Sequence, residues 1–149
     1  MKDLVIREYK SNDYDRIVQI LKDAELYDEI WGSRANFTDL ASRNSDNIFV
    51  AEMNGEIVGV QRIVPQGPDL AILYRLAAKA EFRERGIATR LLEKAAEIAK
   101  KRGICELGMY VDSRNDKLLN FYSERNFRGN INHDYKYLWQ DLSKSKEEK

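Results

Sequence analysis

An α/β fold, with amphipathic helices packed on a central sheet, is what the sequence predicts, and three stretches carry the prediction. Residues 47–64, NIFVAEMNGEIVGVQRIV, are two strand-like runs joined by Asn54-Gly55, a strong signal for a type I′ hairpin turn. Tyr14, Ile17, Val18, Ile20, Leu21 and Ala24 recur at helical spacing and predict a helix packed on the sheet. Residues 74–102, YRLAAKAEFRERGIATRLLEKAAEIAKKR, read as a strand, a tight glycine turn and a long helix. The 149 residues suffice for one domain with a core on both faces of a sheet, assigned to residues 1–142. The tail at 143–149, SKSKEEK, is too polar to pack.

In chain order, alternation around Leu4 and Ile6 predicts a first strand over 3–9, and Ser11 or Asn12 is the expected cap of the helix that follows. Ser33 is placed to cap a second helix running to about Arg43. The hairpin strands are expected near 47–53 and 56–64, and Pro65-Gln66-Gly67-Pro68 ends the second. A strand over about 70–78 leads into the glycine turn. The long helix spans about 86–102, buries Ile87, Leu91, Ala95, Ile98 and Ala99, and stops at Gly103, where a left-handed C-cap belongs. Ile104 to Val111 predict a further strand, with Gly108 leaving a gap in its surface, and residues 115–125 a helix closed by Asn126. A last strand carries Tyr135, Tyr137 and Trp139 on one face, for the core or for a homodimer contact.

The turn Arg83-Glu84-Arg85-Gly86-Ile87-Ala88 is built to hold an anionic group. The first N–H groups of a helix lack intrahelical acceptors, and the aligned peptide dipoles leave partial positive charge there. A phosphate fits that end. Gly86 permits a sharp turn or a close approach, Ala88 keeps the surface low, Thr89 offers a hydroxyl, and Arg83, Arg85 and Arg90 supply positive charge. Neither the nucleotide pattern G-x-x-x-x-G-K-[ST] nor the dinucleotide pattern G-x-G-x-x-G occurs.

This turn resembles the [Arg/Gln]-x-x-Gly-x-[Gly/Ala] signature of the GNAT superfamily of N-acyltransferases, and Leu76-Ala77-Ala78 match the strand end before it. A second match lies in VDSRNDKLLNFYSERNF, where Val111, Asn115, Phe121, Tyr122 and Phe127 stand at the places of the family pattern. Asn126 replaces the usual glycine. The resemblance implies a mixed, mostly antiparallel sheet of six to seven strands with helices on both faces. It implies acetyl-CoA as co-substrate and direct transfer of its acetyl group to a primary amine of a small molecule or peptide. It further implies that the cofactor lies on Leu76, Ala77, Ala78, Arg83, Glu84, Arg85, Gly86, Ile87, Ala88, Thr89 and Asn115, and that Tyr122 returns a proton to the departing thiolate.

Such a transfer needs a neutral amine, stabilisation of a developing oxyanion and a proton for the thiolate. Many relatives carry a glutamate on the strand before the turn, and LAILYRL offers none; Glu106 on the neighbouring strand is the remaining candidate base. His133, the only histidine, sits in an Asn-rich loop and is set aside. The segment KDAELYDEIWG puts Asp23, Glu25, Asp28 and Glu29 beside Tyr27 and Trp31, either as a solvated loop with the rings folded inward or as part of the acceptor site, which the resemblance puts in this region. Tyr27, Asp28, Trp31, Tyr74 and Arg75 are therefore the candidate acceptor contacts, with Arg75 the partner of an anionic group.

Composition narrows the alternatives. Lys plus Arg and Asp plus Glu both number 25, so no overall field draws the chain to nucleic acid or to an anionic membrane. No run approaches the roughly 18–20 apolar residues of a membrane span and the N-terminus lacks a signal-peptide core, which makes a cytoplasmic location the expectation. No metal is expected. Cys105, the lone cysteine, is expected as a buried thiol in its strand. A CoA-binding sensor without turnover, or a binder of some other anion at the same helix end, are the rival functions.

Overall fold

The hairpin at Asn54-Gly55 and the crossover through the long helix together generate the sheet. In a computed structural model that describes residues 3–83, 85–129, 138, 140 and 142, five strands and four α-helices follow in the order β1 (Leu4–Glu8), α1 (Tyr14–Asp23), α2 (Arg34–Arg43), β2 (Ile48–Met53), β3 (Glu56–Pro65), β4 (Leu70–Ala78), α3 (Ile87–Lys101), β5 (Glu106–Gly108) and α4 (Asp116–Ser123). The strands lie in sequence order, antiparallel from β1 to β4, and β5 runs parallel to β4. Parallel pairing requires a crossover, and α3 supplies it. The fold is thus the expected mixed sheet with five strands among the described residues; the expected last strand falls almost wholly outside them, as do His133 and the tail. The chain divides into two compact units, Met1–Tyr110 and Val111–Lys149.

In the first unit β2 and β3 are buried on both faces. Ile17, Ile20 and Leu21 of α1 and Phe37 of α2 pack with Ile48, Val50 and Val60. The neighbour of Val60 points the other way, and there a Cβ on Gly59 would meet Ile87 at 2.9 Å and Leu91 at 3.1 Å. The missing side chain lets α3 lie directly on β3. Both ends of α3 use left-handed glycine, Gly86 at φ 84° and Gly103 at φ 75°. The Gly103 and Ile104 amides donate to the Lys100 and Ala99 carbonyls at 3.1 and 2.9 Å, a Schellman closure. Arg102 then bonds Asn47 at 2.7 Å and pairs with Asp46, tying the helix end to the turn before β2.

Other expectations met their structure with adjustments. Asn54 and Gly55 both have positive φ, 51° and 80°, as a type I′ turn requires, and Ser33 Oγ accepts from the Asn36 amide at 3.1 Å to cap α2. Ser11 and Asn12 do not cap α1: residues Ser11–Asp13 form a 3-10 turn, and the Asp13 carboxylate is taken by the Lys10 amide at 2.8 Å and by both Arg7 Nη atoms at 2.9 and 3.0 Å. Arg7 Nε reaches Glu52 at 3.2 Å, so one guanidinium joins β1, β2 and the start of α1. The strand expected over 104–111 shortens to Glu106–Gly108, because it pairs only with Leu70–Ile72. Cys105 therefore lies ahead of the strand and is exposed, not buried, with its amide on the Asp69 carbonyl at 2.8 Å. The gap at Gly108 is filled by Ile72, whose Cδ1 stands 3.1 Å from where a Cβ would be. No described helix is long and apolar enough to cross a membrane.

The second unit holds α4. Asn115 Oδ1 caps it by accepting from the Leu118 amide at 3.1 Å. Asn126, at φ 70°, closes it, with its own amide on Ser123 and that of Phe127 on Tyr122, both at 3.1 Å. Asparagine fills the role usually given to glycine because it tolerates this conformation better than other side chains.

Two outcomes follow from this packing. Gly59→Ala forces the first turns of α3 off the sheet and lowers stability by about 1–3 kcal/mol in urea unfolding. Burial works to raise the Asp13 carboxyl, and Arg7 with the Lys10 amide outweighs it, so its pKa lies below the ordinary 3.8. A depressed carboxyl stabilises the fold above the unfolded-state pKa and loses that contribution as pH falls through the folded one. Asp13→Asn is accordingly less stable than the parent by roughly 2 kcal/mol near neutrality, and the difference shrinks below about pH 4.

Candidate functional site

Two irregularities, one in β4 and one after it, shape the candidate site. Val60 pairs with Ala77 and Arg62 with Tyr74, so Gln61 alone faces both Arg75 and Leu76. The extra residue makes a β-bulge in which Arg75 takes φ 58°, a left-handed conformation uncommon outside glycine. Gln61 is buried at the bulge and its Nε2 donates to the Tyr74 carbonyl at 3.4 Å, while its Oε1 is buried with no partner among the described residues. Pairing of β4 with β5 ends at Ile72, so from Leu73 to Ala78 the far edge of β4 meets no strand among the described residues. The Lys79 amide donates to Val58 across the hairpin at 2.8 Å, and since successive amides alternate in direction, that of Ala78 is turned toward the open edge.

Beyond Ala78 the chain makes a 3-10 turn over Ala80–Phe82 and enters α3 through Gly86. The first intrahelical bond runs from the Arg90 amide to the Gly86 carbonyl at 3.0 Å, and the Ile87 and Ala88 amides ahead of it have no acceptor within the helix. Among the described residues, none beyond its chain neighbours comes within 4 Å of where a Gly86 side chain would be, which leaves the helix end open to them. Arg83, Arg85 and Arg90 are exposed around it. Arg83 Nε is held by the Ala78 carbonyl at 3.1 Å and Arg85 lies 5.3 Å from the Phe82 ring. Thr89 is half-buried one step inside the helix, and Glu84 falls outside the described residues. The arrangement joins an anion-binding helix end to a strip of strand edge able to take an extended, amide-bearing chain.

The acceptor candidates gather on the α1/α2 face. Asp28 Oδ1 accepts from the Ile30 and Trp31 amides at 2.8 and 2.9 Å and organises the loop between α1 and α2. The Trp31 amide works against burial, the next largest influence, and with the Ile30 amide and the charge of Arg75 holds the carboxyl below the usual carboxylate value. Trp31 is 64% exposed, so the ring is not folded inward, whereas Tyr27 is half-buried with Lys22 5.1 Å from its ring. The loop and the bulge are bridged by Arg62, which sits opposite Tyr74 in the ladder and donates from Nη1 to the Trp31 carbonyl at 2.8 Å.

Glu106 is not brought to this place. It is exposed opposite Leu70, five positions along β4 from Arg75, or roughly 16 Å at the rise of a strand. Tyr122 belongs to the second unit, where it is half-buried with its ring edge-on to Phe121 and Phe127 at centroid distances of 5.2 and 5.6 Å. Burial raises its pKa above the ordinary 10.0 and keeps the phenol protonated at neutral pH. Among the described residues no group of three His, Cys, Asp or Glu could hold a metal. Gln61 and Arg62 escaped the sequence reading, although a Gln-Arg pair inside the otherwise apolar IVGVQRIV is the signal that marks them.

Comparison with known proteins now bears on these features. The model of the acetyltransferase (GNAT) family matches residues 14–127. An uncharacterized N-acetyltransferase of Methanocaldococcus jannaschii is 29% identical over 141 residues, covering 85% of this chain, which spans only 62% of that relative's length. Among solved structures, Ard1 from Thermoplasma volcanium has a TM-score of 0.75 at 20% identity over 85% of this chain and 83% of its own. The PaiA N-acetyltransferase from Thermoplasma acidophilum, solved in complex with coenzyme A, also has a TM-score of 0.75, at 21% identity over 88% of this chain and 93% of its own. With the family model covering both the glycine turn and the Asn115 to Phe127 segment, the chain belongs to the acetyltransferase (GNAT) family.

Proposed function

We propose that the protein binds acetyl-CoA at the β4–α3 turn and transfers its acetyl group to a primary amine of a small-molecule or peptide acceptor. The observation that carries this reading is the open helix end behind left-handed Gly86, continuous with the unpaired edge of β4. The Ile87 and Ala88 amides receive phosphate oxygens, and Arg83, Arg85 and Arg90 neutralise their charge, with Glu84 and Thr89 completing the turn. Leu76, Ala77 and Ala78 hold the amide-bearing arm through backbone groups on the open edge, and the Ala78 amide faces the acyl oxygen, where a fixed donor is worth most. Asn115 orients the same arm. Acetyl-CoA supplies the activated acetyl group as a thioester.

Tyr122 is the proposed proton donor to the departing thiolate. Its match to the family tyrosine and the burial that keeps its phenol protonated support the role. Tyr27, Asp28, Trp31, Tyr74 and Arg75 form the acceptor side, supported by the convergence of the α1–α2 loop and the bulge. The distance of Glu106 from the bulge argues against its serving as the base.

Calorimetric titration with acetyl-CoA, against ATP as a comparison, tests the binding site. Acetyl-CoA is preferred, and Gly86→Glu, which strains the left-handed turn by about 1–2 kcal/mol and sets a carboxylate at the phosphate site, reduces its affinity at least about tenfold. A preference for ATP would favour another anion and defeat the reading. Tyr122→Phe lowers kcat by roughly a hundredfold with acetyl-CoA affinity unchanged; unchanged turnover would remove Tyr122, and binding without turnover on any amine would favour a CoA sensor. Because burial raises the phenol, any alkaline loss of rate due to Tyr122 falls above pH 10.

A further inference from the structure

Arg62 is a buried guanidinium with no carboxylate paired to it among the described residues. It is 5% exposed, its Nη1 donates to the Trp31 carbonyl at 2.8 Å, its Cζ lies over the Phe37 ring at 4.8 Å from the centroid, and its Nε is buried with no hydrogen-bond partner among the described residues. The contrast with Arg7, which takes Asp13 and Glu52, is direct. Burying an unpaired cation is costly, and structures ordinarily supply an anion beside it. Burial first, and then the charge of another cation, Arg75, push the Arg62 pKa down to about 10.

Arg62 lines a cavity of about 580 Å³ between α2 and β3, together with Trp31, Asp39, Arg43 and Arg102. Arg43 is bridged to Asp39 at 3.1 Å and Arg102 is paired with Asp46, so the positive charge that the described protein leaves unbalanced in the cavity is that of Arg62. The same residue stands opposite Tyr74, next to the Arg75 bulge. The cavity is thus lined by a buried cation whose strand neighbour across the ladder is Tyr74, one residue before the bulge.

We propose that Arg62 binds a carboxylate of the acceptor, and that the acceptors are amines bearing a carboxylate, as free amino acids or as short peptides. The inference rests on the acetyltransferase reading and narrows its substrate class. Arg62 acts as a specificity-determining residue: the acceptor carboxylate provides the missing counter-ion, and the planar guanidinium offers it paired N–H donors. An amine without that group leaves the cation buried and unpaired, and is discriminated against in binding.

The test measures thiol release from saturating acetyl-CoA with acceptors offered in matched pairs, each amino acid beside its α-amide and each short peptide beside its C-terminal amide. Wild-type protein prefers the carboxylate member by on the order of ten- to a hundredfold in kcat/KM, mainly through KM. Whether the free amino acids or the peptides show that preference identifies the source of the carboxylate. Arg62→Met abolishes the preference by lowering the carboxylate member to the level of its amide, Arg62→Lys retains part of it, and both variants bind acetyl-CoA as wild type does. Equal use of both members by the wild type, a preference that survives Arg62→Met, an equal fall of both members in a folded Arg62→Met protein, or turnover confined to amines lacking a carboxylate would each overturn the proposal and leave the acetyltransferase reading standing. Should Arg62→Met fail to fold, the wild-type pairs and Arg62→Lys decide. Failure of the wild type to bind acetyl-CoA removes the acetyltransferase reading itself, and this one with it.

Discussion

The seating of α3 on β3 through Gly59 is the contact on which the functional end of the molecule depends. A helix that approaches this closely has its first turn placed by the sheet, because Ile87 and Leu91 occupy the space a β3 side chain would fill. The open amides of that turn then stand at a set position relative to the end of β4, from which the same chain segment has just emerged. Interiors are packed too densely for a helix to shift by a methyl group without cost, so the N-terminal end of α3 is held by core packing. Arg102 secures the other end of the helix to the turn before β2.

The bulge in β4 is a second constraint, and it works with the first. An extra residue opposite Gln61 disturbs the ladder and turns Arg75 into a left-handed conformation, while β5 pairs only as far as Ile72. An edge with unpaired amides and carbonyls is a liability unless something covers it. In the proposed function an extended amide-bearing ligand takes that place, so the irregularity of the sheet and the chemistry of the ligand answer the same need.

Charge is handled in two opposite ways on the α1/α2 face. Arg7 is paired with Asp13 and Glu52 and binds three elements together, a structural use of a guanidinium. Arg62, equally committed to its surroundings through Trp31 and Phe37, has no acid paired to it among the described residues. Among the described residues, one cation is met by two carboxylates and the other by a carbonyl and a ring, and that difference is what the proposed acceptor carboxylate would offset.

Features set by local chemistry were legible in the sequence. The Asn54-Gly55 turn, the Ser33 cap, the Gly103 and Asn126 closures and the glycine entry to α3 each depend on what a few neighbouring residues can adopt, and the helix phases follow from apolar spacing within one element. Family membership was legible for the same reason, since its two motifs are short and local. Tertiary structure decided what depends on distant partners. Ser11 and Asn12, the expected caps, were taken into a 3-10 turn closed by Asp13 and Arg7, Cys105 was left outside β5 because the pairing partner extends no further, and Glu106 was carried away from the bulge by the register of β4 and β5. Gln61 and Arg62 fell inside the expected strand over 56–64 without distinction, and only pairing set one at the bulge and the other beside the α1–α2 loop. Sequence by itself determined the elements and the glycine turn at the head of α3, because backbone preference and periodicity are local; the proposed acceptor side required the fold, because only long-range pairing brings Trp31 and Arg62 together beside the Arg75 bulge.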